Sequence, residues 1–188
     1  MKRVATLVCI LLAAAGTAVG QQPRAVDAER SRMTVRVFRG GLFGFAGHNH
    51  EIRAPIASGT VDEATGKVEI RVDARQLLVL DPDVDAKERQ EVQETMHGPK
   101  VLDSGRYPEI RFHSTEAQKS GDEWLVRGEL TLHGQSKPVE VRVKGGQGRY
   151  TGTASVKQKD FGMEPVSVAG GTIKVKNEVK VEFEIVLK

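Results

Sequence analysis

Apolar and polar residues alternate along most of the chain from residue 33 onward, with a period of two residues. This period places successive side chains on opposite faces of an extended strand, so it predicts strands with one face buried and one face in water. Turn signals rich in Gly, Asp and Ser separate the segments. The predicted strands are 33–38, 48–62, 67–75, 109–114, 123–133, 139–143, 149–157 and 173–187.

Eight antiparallel strands with consistently charged outer faces favour an all-β fold and, more specifically, a closed eight-stranded antiparallel barrel. A β-sandwich is the alternative architecture, because it shows the same alternation. One stretch breaks the pattern. Residues 85–97 are polar, Val92 and Met96 lie four positions apart, Asp85 with Glu88 resembles a capping box, and Gly98-Pro99 is a stop signal. We therefore predict one short helix at about residues 86–97.

The N-terminus has the features of a secretory signal peptide. Lys2 and Arg3 precede an apolar run over residues 4–15, and Ala18-Val19-Gly20 provides small residues for a signal peptidase. The run is too short to span a bilayer comfortably. We expect residues 1–20 to be a signal peptide that is cleaved near Gly20-Gln21, and the protein to be periplasmic or secreted.

The formal net charge of +3 loses most of its meaning once that segment is set aside. Residues 1–20 carry two of the 28 basic side chains and no acidic one. Residues 21–188 therefore carry 26 basic and 25 acidic side chains. The strand charges are of mixed sign and aromatic residues are few, so we expect no nucleic-acid partner. Cys9 lies inside the signal segment. We therefore expect a single domain over residues 21–188 without disulfides or thiol chemistry.

His48 and His50 are the most informative candidates for chemistry. Two positions apart on a strand, they point to the same face, and their parity matches Ile52, so we expect them to point inward. Such a pair could bind a metal, contact a ligand head group or bond the backbone near a barrel rim. Asn177 is the polar residue on the inward face of the last strand. Because buried polar groups need partners, it is either part of a network or a hydrogen-bonding group for a ligand.

Residues 40–47 form a glycine-rich loop with three large apolar side chains, Leu42, Phe43 and Phe45. The loop lacks the Lys-Ser/Thr pair of a phosphate loop and opens no helix, which argues against nucleotide binding. It could close one mouth of the barrel, gate a cavity, touch a membrane or simply pack. The chain shows no Gly-x-Ser-x-Gly elbow and no inward Ser, His and carboxylate set, so we expect no catalysis.

Three segments, in order and spacing, resemble the YceI family: residues 106–114, residues 128–139 and residues 159–163. Gly47-His48-Asn49-His50 further resembles a branch of that family. The resemblance covers roughly residues 26–188. The chain departs from the commonest pattern at the first strand, where Arg32-Met33 stands in place of His-Ser.

The resemblance implies a lipocalin-like, eight-stranded antiparallel β-barrel with an elongated apolar cavity that binds polyisoprenoids or other long amphipathic lipids. Small inward residues such as Gly128, Gly152, Ala54, Ala74 and Ala154 suggest room inside the barrel. An apolar cavity with a few polar groups at one end suits a hydrophobic tail with a polar head.

The leading hypothesis is an exported carrier of an isoprenoid or other amphipathic lipid, without catalysis, cofactor or resident metal. A histidine metal site with redox or hydrolytic activity and a ligand-free structural or stress-response module are the alternatives. Transient contact with a membrane and a homodimer both stay open. The residues expected to contact the ligand are His48, His50, Ile52, Ile70, Val72, Phe112, Leu130, Leu132, Val156, Asn177, Val181 and Phe183.

Overall fold

The computed structural model describes residues 22–40, 49–168 and 173–188. Within these ranges one helix is present, α1 (Ala86–His97), together with two 3-10 turns at Ala74–Gln76 and Gln158–Phe161. The strands are β1 (Arg24–Ala25), β2 (Arg32–Gly40), β3 (His50–Arg53), β4 (Ile56–Asp62), β5 (Lys67–Asp73), β6 (Leu78–Val79), β7 (Glu109–Ser120), β8 (Glu123–Leu132), β9 (Gln135–Gly146), β10 (Arg149–Lys157), β11 (Ser167–Val168) and β12 (Ile173–Val186). The predicted signal peptide lies outside the described residues.

The strands form one antiparallel sheet that closes on itself. Two of its members are bent strands: β3 continues into β4 across Ala54-Pro55, and β5 continues into β6 across the 3-10 turn at Ala74–Gln76. β3 pairs with β2 and β6, while β4 pairs with β5. The ring then runs from β5 through β7, β8, β9, β10 and β12 back to β2. Counted with the two bent strands, the ring has eight members, and the predicted barrel is confirmed.

Proline explains where the first bent strand breaks. Pro55 has no N–H to donate to a ladder, so it is compatible only with an edge, a bulge or a break. The ladder with β2 ends at the preceding residue, where Ala54 N donates to Met33 O at 2.9 Å. The register with β5 then shifts between Ile56 and Ser58. The chain can therefore leave one neighbour and join another within a few residues.

The N- and C-terminal segments complete the ring beside β4. β1 pairs with the end of β4, and the residue after it, Val26, bridges Leu187 just beyond β12. Lys188 N donates to Ala25 O at 2.9 Å. Since β2 begins only at Arg32, this short segment fills the gap between β4 and the end of β12.

α1 lies at one end of the barrel. Asp85 caps the N-terminus of the helix: its side chain accepts hydrogen bonds from Lys87 N and Glu88 N at 2.9 Å each. The helix ends at His97, and Gly98-Pro99 follows it. Met96 is 6% exposed and Val92 packs against the core, so the narrow apolar stripe faces inward. The predicted helix over residues 86–97 is confirmed. In the described part of the chain, no helix has both the length and the apolar character to cross a membrane.

The two barrel ends differ. The capped end carries α1, residues 98–108 and the 3-10 turn at Gln158–Phe161. Among the described residues, the turn end carries the tight turns at residues 63–66, 121–122 and 147–148, together with the two terminal segments. The hydrophobic core lies between them, built from the inward-facing residues of the alternating strands.

Candidate ligand cavity

A cavity of about 270 Å³ lies inside the barrel and extends from the turn end to the capped end. This volume is close to the lower end of ligand pockets, roughly 300 Å³. The described part of the chain contributes 35 lining residues, and few of them bring polar side-chain atoms: Asp62, Glu63, Gln158 and the polar tips of Trp124 and Tyr150. The wall is therefore almost entirely apolar.

Nine of the predicted wall residues line this cavity. They come from six different strands of the ring and share the inward parity of the period-two pattern. Their positions follow directly from strand geometry, since every second residue points to the same face. They are Ile52, Ile70, Val72, Phe112, Leu130, Leu132, Val156, Val181 and Phe183.

Two inward glycines do not add room to the cavity, contrary to the sequence expectation. A Cβ at Gly128 would lie 2.5 Å from the Phe112 ring, and a Cβ at Gly152 would lie 2.4 Å from the Phe183 ring. The rings therefore occupy the space over the glycines. Ala74, 1% exposed, lies in a 3-10 turn away from the wall, so only the alanines at 54 and 154 line the cavity as expected.

The capped end closes the cavity with apolar side chains from the bend between β5 and β6 and from segments outside the ring. Leu77, Met96, Leu102 and Met163 all line it. Gln158 is the polar exception: it is 6% exposed, and its Nε2 donates to Lys176 O at 2.9 Å. The sequence pattern did not predict Gln158 as a wall residue, because it lies in a 3-10 turn, where period-two alternation does not apply.

The turn end holds a hydrogen-bonded carboxylate. Glu63 Oε1 accepts from the Tyr150 hydroxyl at 2.5 Å and from Gly148 N at 2.9 Å, while Oε2 accepts from Arg24 Nη1 at 2.9 Å. Arg24 also donates through Nε and Nη2 to Lys188 O, at 3.1 and 2.9 Å. The network therefore joins the β4–β5 turn, β10, β1 and the C-terminal residue.

The pKa values of Glu63 and Tyr150 move in opposite directions in this network. The Tyr150 hydroxyl, and after it the Arg24 guanidinium, holds the pKa of Glu63 below its ordinary value. Burial, followed by the hydrogen bond to Glu63, raises the pKa of Tyr150 to about 12. At neutral pH the pair is therefore a carboxylate with a neutral phenol as donor. The sequence carried one signal, the inward parity of Tyr150, but nothing that placed Glu63 beside it.

His50 lies on β3 at the capped end and is not among the residues that line the cavity. Its Nδ1 is 2.6 Å from Asp81 Oδ2, and Asp81 Oδ1 accepts from Glu51 N at 2.7 Å. Asp81 is 4% exposed, so this is a buried partner. The bonding gives His50 a structural role, and its contact with a ligand stays a prediction. His48 lies outside the described residues.

Asn177 lies where the register between β2 and β12 shifts, and it is not a wall residue. Its Oδ1 accepts from Lys159 N at 2.9 Å. This bond places Asn177 in a hydrogen-bond network, and its contact with a ligand stays a prediction. In the described ranges, no group of three or more His, Cys, Asp or Glu side chains is arranged to hold a metal ion.

The outer face of the barrel carries charges of both signs in alternating ladders. Arg36 bridges Glu51 and Glu182 at 2.9 and 2.7 Å, and Arg127 bridges Glu116 and Glu140 at 3.1 and 2.8 Å. Cross-strand pairs of this kind contribute little individually because they are solvated.

The fold and the cavity define a closed antiparallel β-barrel with an apolar interior. The family model described as YceI-like domain matches residues 25–187, so the chain belongs to the YceI-like family. A UPF0312 protein of Vibrio cholerae serotype O1 is 32% identical over 130 residues, which is 63% of each chain. A UPF0312 protein of Pseudomonas paraeruginosa is 38% identical over 73 residues, which is 34% of this chain and 38% of its own length.

A solved structure supports the fold independently. The crystal structure of Burkholderia cenocepacia BcnA matches with a TM-score of 0.62 at 19% identity, covering 87% of this chain and 99% of its own. At that identity the match concerns the fold alone. Family membership and a barrel with an apolar interior are consistent with binding of a hydrophobic ligand.

Proposed function

We propose that this protein binds and carries an isoprenoid or another long amphipathic lipid in the barrel cavity. The observation that carries the proposal is the cavity itself, with an almost wholly apolar wall that reaches from one barrel end to the other. Burying a prenyl chain there contributes about 0.8 kcal/mol per CH₂ group removed from water. Affinity can therefore come from the wall, without a short recognition motif.

The proposed role is transport rather than catalysis. The polar groups of the described wall are a carboxylate bonded to a tyrosine, a glutamine bonded to the backbone, an aspartate bonded within its own turn, and the indole N–H of Trp124. A nucleophile with an adjacent base, the usual signature of covalent catalysis, is not among these wall residues. A lipid that is nearly insoluble in water needs a carrier to move between membranes, and an enclosed barrel meets that need.

Export is part of the same proposal. The signal-peptide features of residues 1–20 support a mature chain that begins near Gln21 and acts in the periplasm or outside the cell. Intact mass spectrometry of the protein purified from the cells that produce it would measure whether residues 1–20 have been removed. A mass that retains residues 1–20 in the extracytoplasmic fraction would contradict it.

The direct test is native mass spectrometry of protein purified from its own compartment, followed by organic extraction. We expect an additional bound mass that is released into organic solvent and identified as a prenyl or other long-chain lipid. A preparation that carries no extractable lipid and also takes up none from mixed-lipid vesicles would overturn the proposal.

A matched pair of variants makes the test specific to the cavity. Ala154 lines the wall of β10 and Ser155 is its exposed neighbour. Ala154→Leu fills part of the cavity and should reduce the bound lipid severalfold, while Ser155→Leu adds a similar volume outside and should leave it unchanged. Thermal unfolding of both variants shows whether the loss comes from the cavity or from misfolding.

A further inference from the structure

The described part of the cavity wall carries negative charge and no positive charge. Among the 35 described lining residues none is Lys, Arg or His, whereas Asp62 and Glu63 are both present at the turn end. A buried charge is costly unless a partner of opposite sign compensates it. A phosphate or carboxylate head group drawn into this cavity would find no cationic side chain on the described wall.

The guanidinium that is bonded to Glu63 does not remove this difficulty. Each of the three nitrogens of Arg24 is already engaged, Nη1 with Glu63 and the other two with Lys188 O. Arg24 does not line the cavity. Its charge is matched by the Glu63 carboxylate, whose side chain is 17% exposed. An anionic head group would therefore compete with Glu63 for the same cation.

The hydroxyl of Tyr150 offers a different interaction. It donates its single proton to Glu63 Oε1 at 2.5 Å, so its oxygen keeps only acceptor capacity. Bonding to a carboxylate also strengthens the acceptor character of that oxygen, because hydrogen bonds in a chain polarise one another. Tyr150 lines the cavity beside apolar residues, which places a hydrogen-bond acceptor at the end of an apolar tunnel.

We propose that the cavity is selective for lipids with a neutral, hydrogen-bond-donating head group, such as a prenyl alcohol, and that this head group donates to Tyr150 Oη at the turn end. Phosphorylated forms of the same lipid are excluded. This inference rests on the proposed carrier function and adds to it the chemical class of the ligand and the direction in which it lies.

The test uses the full mature protein loaded with diphenylhexatriene, an apolar fluorescent probe. Geranylgeraniol, geranylgeranyl phosphate and the hydrocarbon phytane compete for it. One neutral hydrogen bond makes geranylgeraniol bind about threefold to tenfold more tightly than phytane. The phosphate should bind at least roughly a hundredfold more weakly than the alcohol, since its charge has no partner. Equal affinities of alcohol and phosphate would overturn the inference.

Substitutions locate the head group. Tyr150→Phe should lower the affinity for geranylgeraniol to that for phytane and leave phytane unchanged. Tyr107→Phe is the matched control, because Tyr107 packs against His133 outside the cavity wall and should change neither. Glu63→Gln should reduce the difference in affinity between geranylgeraniol and geranylgeranyl phosphate. If Gln158→Leu abolishes the preference for the alcohol while Tyr150→Phe preserves it, the head group lies at the capped end and the inference is wrong.

The probe separates the two proposals. If diphenylhexatriene and all three competitors fail to bind, the carrier function itself is wrong. If they bind without discrimination between alcohol and phosphate, the carrier function stands and the head-group selectivity is wrong.

Discussion

At the turn end of the barrel, a carboxylate and a phenol share one short hydrogen bond. Glu63 has a pKa below its ordinary value because Tyr150 and Arg24 both donate to it. Tyr150 has a pKa of about 12 because burial disfavours the charged phenolate and because the neutral hydroxyl is bonded to Glu63. Neither effect belongs to one residue alone. They arise because the β4–β5 turn and β10 bring the two groups together.

The Tyr150 shift predicts how stability depends on pH. A phenol whose pKa is raised in the folded state keeps its proton longer than in the unfolded chain. Its contribution is therefore fully present below pH 10.0, the ordinary tyrosine value, and is lost as the pH rises towards about 12. Denaturant unfolding of the wild type and of Tyr150→Phe between pH 8 and 12 measures this.

We expect the free energy of unfolding to fall more steeply with pH in the wild type than in Tyr150→Phe. Tyr107→Phe should follow the wild type. Parallel curves for the wild type and Tyr150→Phe would contradict the raised pKa. At acidic pH the dependence runs in the opposite direction. The contribution of Glu63 to the free energy of unfolding is present above pH 4.5, its ordinary pKa, and is lost as the pH falls through the lower pKa of the folded state.

At the scale of the element, local sequence signals determine the helix but not the two bent strands. α1 begins where Asp85 caps it and ends at Gly98, both features of short-range chemistry. The two bent strands depend on more than local sequence, because their courses are set by pairing between residues that are distant along the chain. A helix that closes a barrel end is held partly by its cap and partly by its inward residues Val92 and Met96.

Removal of the cap should loosen this closure. Asp85→Ala leaves Lys87 N and Glu88 N without their side-chain acceptor and should lower the free energy of unfolding by about 1 kcal/mol. Asp83→Ala, a change at an exposed aspartate two residues before, should have little effect. Denaturant unfolding measures both. Equal stability of the two variants would show that the cap contributes nothing to the native state.

At the scale of the whole molecule, closure of the sheet creates the cavity. Eight strands surround a space that is just wide enough for side chains or one small ligand. Here the rings of Phe112 and Phe183 lie over Gly128 and Gly152, so part of the interior is packed and the rest stays open. The terminal segments take part, since β1 and the C-terminal residue complete the ring beside β4.

If the cavity takes a ligand, the whole barrel should become more stable. A ligand at a hundred times its Kd adds about 2.7 kcal/mol to the free energy of unfolding, which raises the Tm of a chain of this size by roughly 5–10 °C. Geranylgeraniol should produce this rise in the wild type and in Ser155→Leu, and a much smaller one in Ala154→Leu. Differential scanning calorimetry measures it. An unchanged Tm at saturating lipid would count against the carrier function.

The predictions from sequence succeeded where the governing physics is local. Period-two alternation identified the strands and nine wall residues, because the direction of a side chain in a strand depends only on position along it. Cap chemistry identified the helix for the same reason. The inward parity of His50 and Asn177 did not place them on the wall. His50 is bonded to Asp81 at the capped end. Asn177 lies at a register shift of β12, where its side chain accepts a hydrogen bond from Lys159 N.

The amino-acid sequence by itself therefore determined the strand pattern, the helix, the barrel class and most of the apolar wall. Only the tertiary structure decided which polar groups meet that wall. Glu63 and Tyr150 are 87 residues apart and Arg24 is 39 residues from Glu63, so no local pattern links them. It also decided how much of the interior stays open, because the volume over an inward glycine depends on which ring from a neighbouring strand lies across it.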